Sequence, residues 1–284
     1  MAVKPFLKSA WYSAWLGWKI ETNWTDPLTF AGYYLLRPFA GLLIVGFIFL
    51  IGSFAAGKIS TQYFTYLFLG QISFIYVSQI TITTGSLIHE ERSKYETLRS
   101  LYVTPTSLRP YLLGRALSAA FASTVSMVLT LLLGTFVFSY VLGIRLEIDL
   151  LKVNYLALGL SVLIGIASLI SLGFLLSGIN LLSTRLQFTL SEYVSGIFFL
   201  LGDVIFPPSM LPSPLNLLAS SLPITYYIRA VRASVLPGTW DTILPNIVML
   251  LLLAILITIV GLLGFGASEK RAKRLGILDR KSEY

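Results

Sequence analysis

The densest set of ionisable side chains in the chain is the run His89-Glu90-Glu91-Arg92-Ser93-Lys94-Tyr95-Glu96-Thr97-Leu98-Arg99. Glu90 to Arg99 holds three glutamates and three basic residues. The chemistry open to such a set is ion pairing. Glu90 and Lys94 stand at i,i+4 and Glu96 and Arg99 at i,i+3, spacings that support a short exposed helix. Each pair contributes only a few tenths of a kcal/mol, so a partner surface is needed to fix it. Long apolar runs flank the segment, and an ionised side chain inside hydrocarbon costs several kcal/mol. Residues 89–105 are therefore expected in water at one face of a membrane. Glu90, Glu91, Arg92, Lys94, Tyr95, Glu96 and Arg99 are its candidate docking residues.

Other chemistries lack their residues. There is no cysteine, and the one histidine, His89, cannot build a His-based metal cluster. Gly57-Lys58 is the only Gly-Lys pair, and no G-x-x-x-x-G-K-[ST] phosphate loop surrounds it. No G-x-S-x-G elbow and no H-E-x-x-H motif occur. The chain reads as a non-enzyme that binds no cofactor of its own.

The elements that position the charged run follow from composition. The 284 residues are 56% hydrophobic and 12% charged, against about 25% charged in a soluble domain, and mean hydropathy is +0.80. Apolar runs of this length read as helices, so the expected fold is an all-α integral membrane protein in one transmembrane domain. Six spans are expected, at 33–54, 63–88, 110–142, 154–176, 192–206 and 244–266. The fifth is short and runs into the Pro-rich segment 207–236, which predicts a re-entrant helical segment. Residues 4–22 predict an interfacial helix. Leu7, Trp11, Trp15 and Trp18 share one face, and Lys4, Lys8 and Lys19 form a neighbouring stripe. No apolar stretch with a small-residue cleavage site marks a secretory signal in the first 30 residues.

Charge sets the orientation. Of the 21 Lys and Arg, Lys58, Arg145, Lys152, Arg229 and Arg232 fall on one side and the other 16 on the side of the charged run. The positive-inside rule then makes both ends cytoplasmic, together with the basic tail 267–284. This distribution accounts for the net charge of +8 as topology, without nucleic acid. On the second span Tyr76, Gln79, Thr83, Ser86 and Glu90 share a polar face that must look at protein or a watery path. The glycines and serines of the fourth span, Gly159, Gly165, Gly173 and Gly178 among them, allow close helix approach. Glu192 and Asp203 read as charges at the ends of the fifth span.

Three places in this order resemble the permease subunit of ABC-2 type ABC exporters. The first is the charged run continuing Ser100-Leu101-Tyr102-Val103-Thr104-Pro105, similar to that family's charged stretch before its third span. The second is Ser195-Gly196-Ile197-Phe198-Phe199 with Pro207 and Pro212 beyond it. The third is Leu222-Pro223-Ile224-Thr225-Tyr226-Tyr227, followed by Arg229, Arg232 and Gly238. Asp203 and the doubled Pro207-Pro208 depart from the family pattern.

The resemblance implies a plasma-membrane protein that pairs with a second permease subunit, identical or not, and docks on a separate ATPase subunit that holds ATP and magnesium. Residues 89–105 would be the coupling segment. The first helix, with Lys8, Trp11, Trp15 and Trp18, would be a connector helix lying against membrane lipids. The expected function is export of a hydrophobic or amphipathic substrate, drug-like, lipid, peptide or glycan, past Tyr76, Gln79, Thr83, Phe198 and Phe199. The alternative is an ATP-independent carrier or channel, for which Glu192 and Asp203 are the titratable candidates.

Overall fold

The computed structural model of the chain describes residues 3–23, 26–57, 60–103, 108–144, 146–183 and 189–277. These form α1 (Val3–Thr22), α2 (Pro27–Ala56), α3 (Thr61–His89), α4 (Leu98–Val103), α5 (Leu108–Phe136), α6 (Tyr155–Leu182), α7 (Thr189–Leu201), α8 (Ser213–Ser221), α9 (Pro223–Val235) and α10 (Trp240–Leu275). Single π-turns extend α3 over Glu90–Lys94 and α5 over Val137–Val141. Among the described residues there is no strand.

Five helices, α2, α3, α5, α6 and α10, are long and apolar enough to cross a membrane. The shortest of these spans has 28 residues, a rise of about 42 Å at 1.5 Å per residue, more than the roughly 30 Å hydrocarbon core. They coincide with the spans expected at 33–54, 63–88, 110–142, 154–176 and 244–266, and α1 with the helix expected at 4–22. The fifth apolar run, expected to be short at 192–206, is α7, whose 13 residues start and end earlier in the chain and rise about 20 Å. It stops because Asp203 takes up the left-handed conformation, with φ 64°, and the Gly202 amide closes back on the Phe198 carbonyl at 2.8 Å.

Local signals in the sequence set the helix ends. Asp26 caps α2 through its carboxylate to the amides of Leu28 and Thr29, with Pro27 in the first turn, where its missing N–H is not needed. Ser60 caps α3 through the Tyr63 amide and Asn154 caps α6 through the Ala157 amide. Gly57 and Gly276 close α2 and α10 in the left-handed conformation.

The centre of the bundle is α3, which packs against α2, α5, α6, α7 and α9. Lipid tails are as apolar as leucine, so helices in a membrane associate through close packing and interhelical hydrogen bonds. Both are present on the α3–α6 face. The Cα of Gly173 faces Thr84 so closely that a Cβ there would collide with the Thr84 side chain. One turn on, Ser177 Oγ donates to the Thr84 carbonyl at 2.5 Å and Asn180 Nδ2 to the Gly85 carbonyl at 2.7 Å. On the other side of α6, Ser171 Oγ meets Thr258 Oγ1 of α10 at 2.8 Å. Gly165 makes room for the ring of Tyr227, which α9 buries completely in the core. Gly173, Gly165 and Gly178 thus serve the close approach expected of the fourth span, whereas Gly159 has no neighbour within 4 Å.

That contrast gives a test. Gly173→Val forces α3 and α6 apart and should cost about 1–3 kcal/mol, the range for an overpacked core. Gly159→Ala should leave stability unchanged or slightly raised. Thermal unfolding in detergent reads both, and an unchanged melting temperature for Gly173→Val would contradict the described packing.

Candidate functional site

The charged run does not lie free at the surface. It leaves α3 through the π-turn Glu90–Lys94, where the Tyr95 amide reaches the Glu90 carbonyl at 2.9 Å. The widened turn directs two adjacent side chains inward in different directions. Glu91, 1% exposed, accepts hydrogen bonds from the Tyr111 hydroxyl at 2.5 Å and from the Thr97 hydroxyl. Arg115 of α5 stands 3.8 Å from Glu91 and 3.6 Å from Glu90. Arg92, 5% exposed, donates to the Leu181 carbonyl at 2.8 Å and to the Ser183 and Asn180 carbonyls at 3.4 and 3.5 Å. It thereby caps α6, whose last carbonyls have no helical donors and carry the negative end of the helix dipole.

One expectation changes: Glu91 and Arg92, expected on a docking surface, are structural and buried. Glu90 also turns to Arg115, while Lys94 stays near enough to Glu90 to attract it and lies 5.0 Å from the centre of the Tyr95 ring. Tyr95 is half-buried, and Glu96 turns the chain with φ 53°. The solvent-facing part of the segment is Lys94, Glu96, Thr97, Ser100 and Val103, with the Val103 side chain the large apolar one at 81% exposure. The backbone of Arg99 belongs to α4, its side chain lies outside what is described, and 104–107, with Pro105, lie outside the described residues. Inside α4, Tyr102 tucks under Lys273 of α10, 5.0 Å from ring centre to ammonium. Burial, then the nearby Glu269 carboxylate, holds the Tyr102 phenol well above its usual range.

The first helix is tied to the same end. Trp11 and Trp15 are exposed, Lys8 sits over Tyr12 and Lys19 over Trp15. Trp18, expected to share that outer face, is instead wedged edge-on against Phe30 and Phe121, at 5.7 and 4.9 Å between ring centres. The inner face packs on α5 almost backbone to backbone: a Cβ on Gly17 would meet Ser118, and one on Gly114 would meet the Ala10 carbonyl and Ser13. The sequence carries this signal as small residues at Ala10, Ser13 and Gly17 facing Gly114 and Ser118.

Between α1, α2, α3, α5 and α7 lies a cavity of about 1100 Å³. Gln79, Thr83 and Phe199, expected along the path, line it. Tyr76 and Phe198 do not. Tyr76 is 2% exposed and donates to Thr124 Oγ1 at 2.7 Å, and Phe198 is buried in the core. Gln71, Phe74, Arg37 and Glu192 line it without having been singled out for the path. Phe74 is apolar and neither it nor Gln71 falls at the helical spacing of the expected polar face, so the lining surface of α3 is rotated from that face and periodicity did not point to them. The cavity reaches Glu90, Lys94 and Tyr95 at the charged end.

At the opposite end of α3, Asp203 is 3% exposed. It is the centre of an ionic cluster rather than the helix-end charge expected. Arg229 Nε donates to Oδ2 at 2.6 Å, Arg232 Nη1 to Oδ1 at 2.8 Å, and the Tyr66 hydroxyl to Oδ1. Arg232 also donates to the Tyr66 and Val204 carbonyls, at 3.1 and 2.8 Å. A Cβ on Gly70 would strike Arg232 and the Val204 carbonyl, so α3 must be bare there. Among the described residues no three His, Asp or Glu side chains converge as metal ligands.

No protein-family model matches the chain, and no curated protein matches it.

The burial of Glu91 has a measurable consequence. Glu91→Ala leaves the Tyr111 and Thr97 hydroxyls without their acceptor and Arg115 with Glu90 alone. Breaking one partner of a buried ionic group costs about 3–5 kcal/mol, so this variant should purify poorly and unfold early. Ser100→Ala, on the exposed side of α4, should match the parent protein in yield and melting temperature.

Proposed function

We propose that the chain is the membrane permease subunit of an ATP-driven exporter of the ABC-2 type, with ATP hydrolysed by a separate subunit docked at the charged end. The observation that carries this reading is the cavity beside α3: it lies between helices long and apolar enough to cross a membrane, is walled by aromatic, amide and charged side chains, and runs to the turn that leads into α4. A path between hydrocarbon and water needs that mixture. A docking device needs an exposed element joined to the path, and α4 meets that need through Thr97, which precedes it and donates to Glu91, and through Tyr102 against Lys273.

In this reading α7 and the segment after it complete a sixth crossing, and α8 and α9 form a re-entrant pair. Support comes from α9, whose Ile228 and Ala230 are fully buried as it packs against α3, α6 and α10. Backbone that departs from a full span is tolerated at depth where protein covers it. Both chain ends face the cytoplasm, on the strength of the Lys and Arg asymmetry, and a second permease subunit faces the cavity side. Substrate leaves the inner leaflet or cytoplasm past Gln79, Thr83 and Phe199. Closure of the ATPase pair pushes on α4 and moves α3 and α5 as bodies. In the alternative carrier reading, Asp203 is already claimed by two arginines, which leaves Glu192 as the group to titrate.

Val103→Glu tests the docking element without touching the buried residues. It should reduce co-purification of the ATPase subunit about tenfold or more while the melting temperature stays at the parent value. Undiminished co-purification would count against α4 as the docking element. Recovery of the parent chain with no ATPase at all, together with pH-driven flux in proteoliposomes, would favour the carrier.

A further inference from the structure

Five charged side chains line the cavity: Glu21, Arg37, Glu90, Lys94 and Glu192. Three of them are compensated at the charged end. The Glu21 carboxylate accepts from the Tyr34 hydroxyl at 2.5 Å, Glu90 faces Arg115, and Lys94 lies within electrostatic reach of both glutamates. Arg37 and Glu192 differ. Both are exposed, and neither has a hydrogen-bond or ion-pair partner among the described residues.

Packing fixes the level of each along α3. Pro38 lies inside α2 and has no N–H, so the Tyr34 carbonyl, four residues earlier, loses its helical donor. Ser126 of α5 supplies one: its Oγ donates to that carbonyl at 2.6 Å and accepts from Gln79 Nε2 at 3.1 Å. Tyr34 is therefore level with Gln79. Further along α2, a Cβ on Gly41 would stand 2.9 Å from Gln71 Nε2. Arg37, between these two, is level with the stretch of α3 around Ile75. On α7, Ser191 would collide with a Cβ on Gly85, and Phe199 packs beside Phe74 at 5.0 Å between ring centres. Glu192 is thus level with the stretch just before Gly85. The two charges are offset by roughly 10–15 Å along the bundle. Between them the wall is apolar at Ile75, Ile82 and Phe199. Gly196 of α7 adds open space there, since a Cβ on it would meet nothing within 4 Å.

We propose that this cavity takes a zwitterionic amphipath, an apolar body with a cationic group received by Glu192 and an anionic group received by Arg37. The inference rests on reading the cavity as the transport path. A free cation and a free anion that open on one cavity are each hydrated there. A ligand that fills the space displaces that water, and a charge stripped of water without a counter-charge is costly. A neutral body strips both charges, and a singly charged one compensates only one of them. A body with opposite charges at its two ends compensates both, so the site selects on the pair of charges rather than on hydrophobicity.

The test uses three probes of one chain length: 12-aminododecanoate, with ammonium and carboxylate at opposite ends, dodecanoate and dodecylamine. Isothermal titration calorimetry on the purified full chain in lipid nanodiscs gives the affinities, with free probe corrected for partitioning into protein-free nanodiscs. The zwitterion should bind the parent protein about tenfold or more tighter than either singly charged chain. Arg37→Gln should bring its affinity to within about twofold of dodecylamine, and Glu192→Gln to within about twofold of dodecanoate. The double exchange Arg37→Glu with Glu192→Arg should restore the preference, because the ligand can enter end for end. Neither side chain holds another residue, so all these variants should keep the parent melting temperature. Equal affinities for the three probes in the parent protein overturn the proposal whether or not the variants fold, and so does a preference that survives either single variant. Three probes bound alike, together with a dimer that Arg37→Gln splits in light scattering, would assign the two charges to a contact between copies instead. Failure to recover an ATPase subunit would count against the exporter while leaving the charge selectivity intact, and equal affinities would do the reverse.

Discussion

Three buried arginines organise this bundle. Arg92, Arg115 and Arg232 are each no more than 5% exposed, and a guanidinium withdrawn from water is costly unless carboxylates or carbonyls meet most of its donors. Only Arg92 Nε and Arg115 Nη1 lack a partner among the buried guanidinium atoms of these three. Each is met by a different solution. Arg92 is spent on the end of α6, Arg115 on the paired carboxylates of Glu90 and Glu91, and Arg232 on Asp203 and two carbonyls. All three solutions close on α3 or its immediate extension. The helix is held near both ends by buried charged contacts, and along its α6 face by carbonyls that accept from Ser177 and Asn180.

With its ends fixed, α3 can carry an unfilled polar face in the middle. Side chains such as Gln71 and Gln79 are tolerated at depth because the packing that specifies the fold is done elsewhere: by small residues against α6, by aromatics such as Phe64 and Phe68 against Phe138, and by the ionic clusters. The proline in α2 belongs to the same economy of polar groups. Its missing amide is made good across the bundle by a serine, and that serine then determines how a glutamine on a third helix must sit.

Helices and their approximate bounds were legible because hydrophobic length and caps are local properties: Asp26-Pro27, Ser60, Asn154, Gly57 and Gly276 all act within a turn of where they stand. The polar face of α3 was legible for the same reason, since helical periodicity places Gln79 and Thr83 together. What the sequence hid was partner choice across distance. Asp203 and Arg232 are 29 residues apart and Arg92 and Leu181 are 89 apart, and nothing in spacing says which buried charge meets which carbonyl. The i,i+4 spacing keeps Glu90 and Lys94 within electrostatic reach, but it could not show that Arg115, on another helix, also meets Glu90. Tyr76 sits on the polar face by periodicity, yet its hydroxyl finds Thr124 and the ring is sealed from the cavity.

The distribution of tryptophan gives the molecule an optical asymmetry. Of its five tryptophans, Trp11, Trp15 and Trp18 lie on α1, Trp24 follows closely in the chain, and Trp240 begins α10. Trp11 and Trp15 face outward while Trp18 is held between Phe30 and Phe121. Ultraviolet emission therefore comes mostly from the helix whose backbone rests on Gly114 and Ser118. Quenchers placed in the lipid would reach the outer pair and spare the inner one, so the native fluorescence separates the two faces of a single helix and registers any loosening of α1 from α5 without a label.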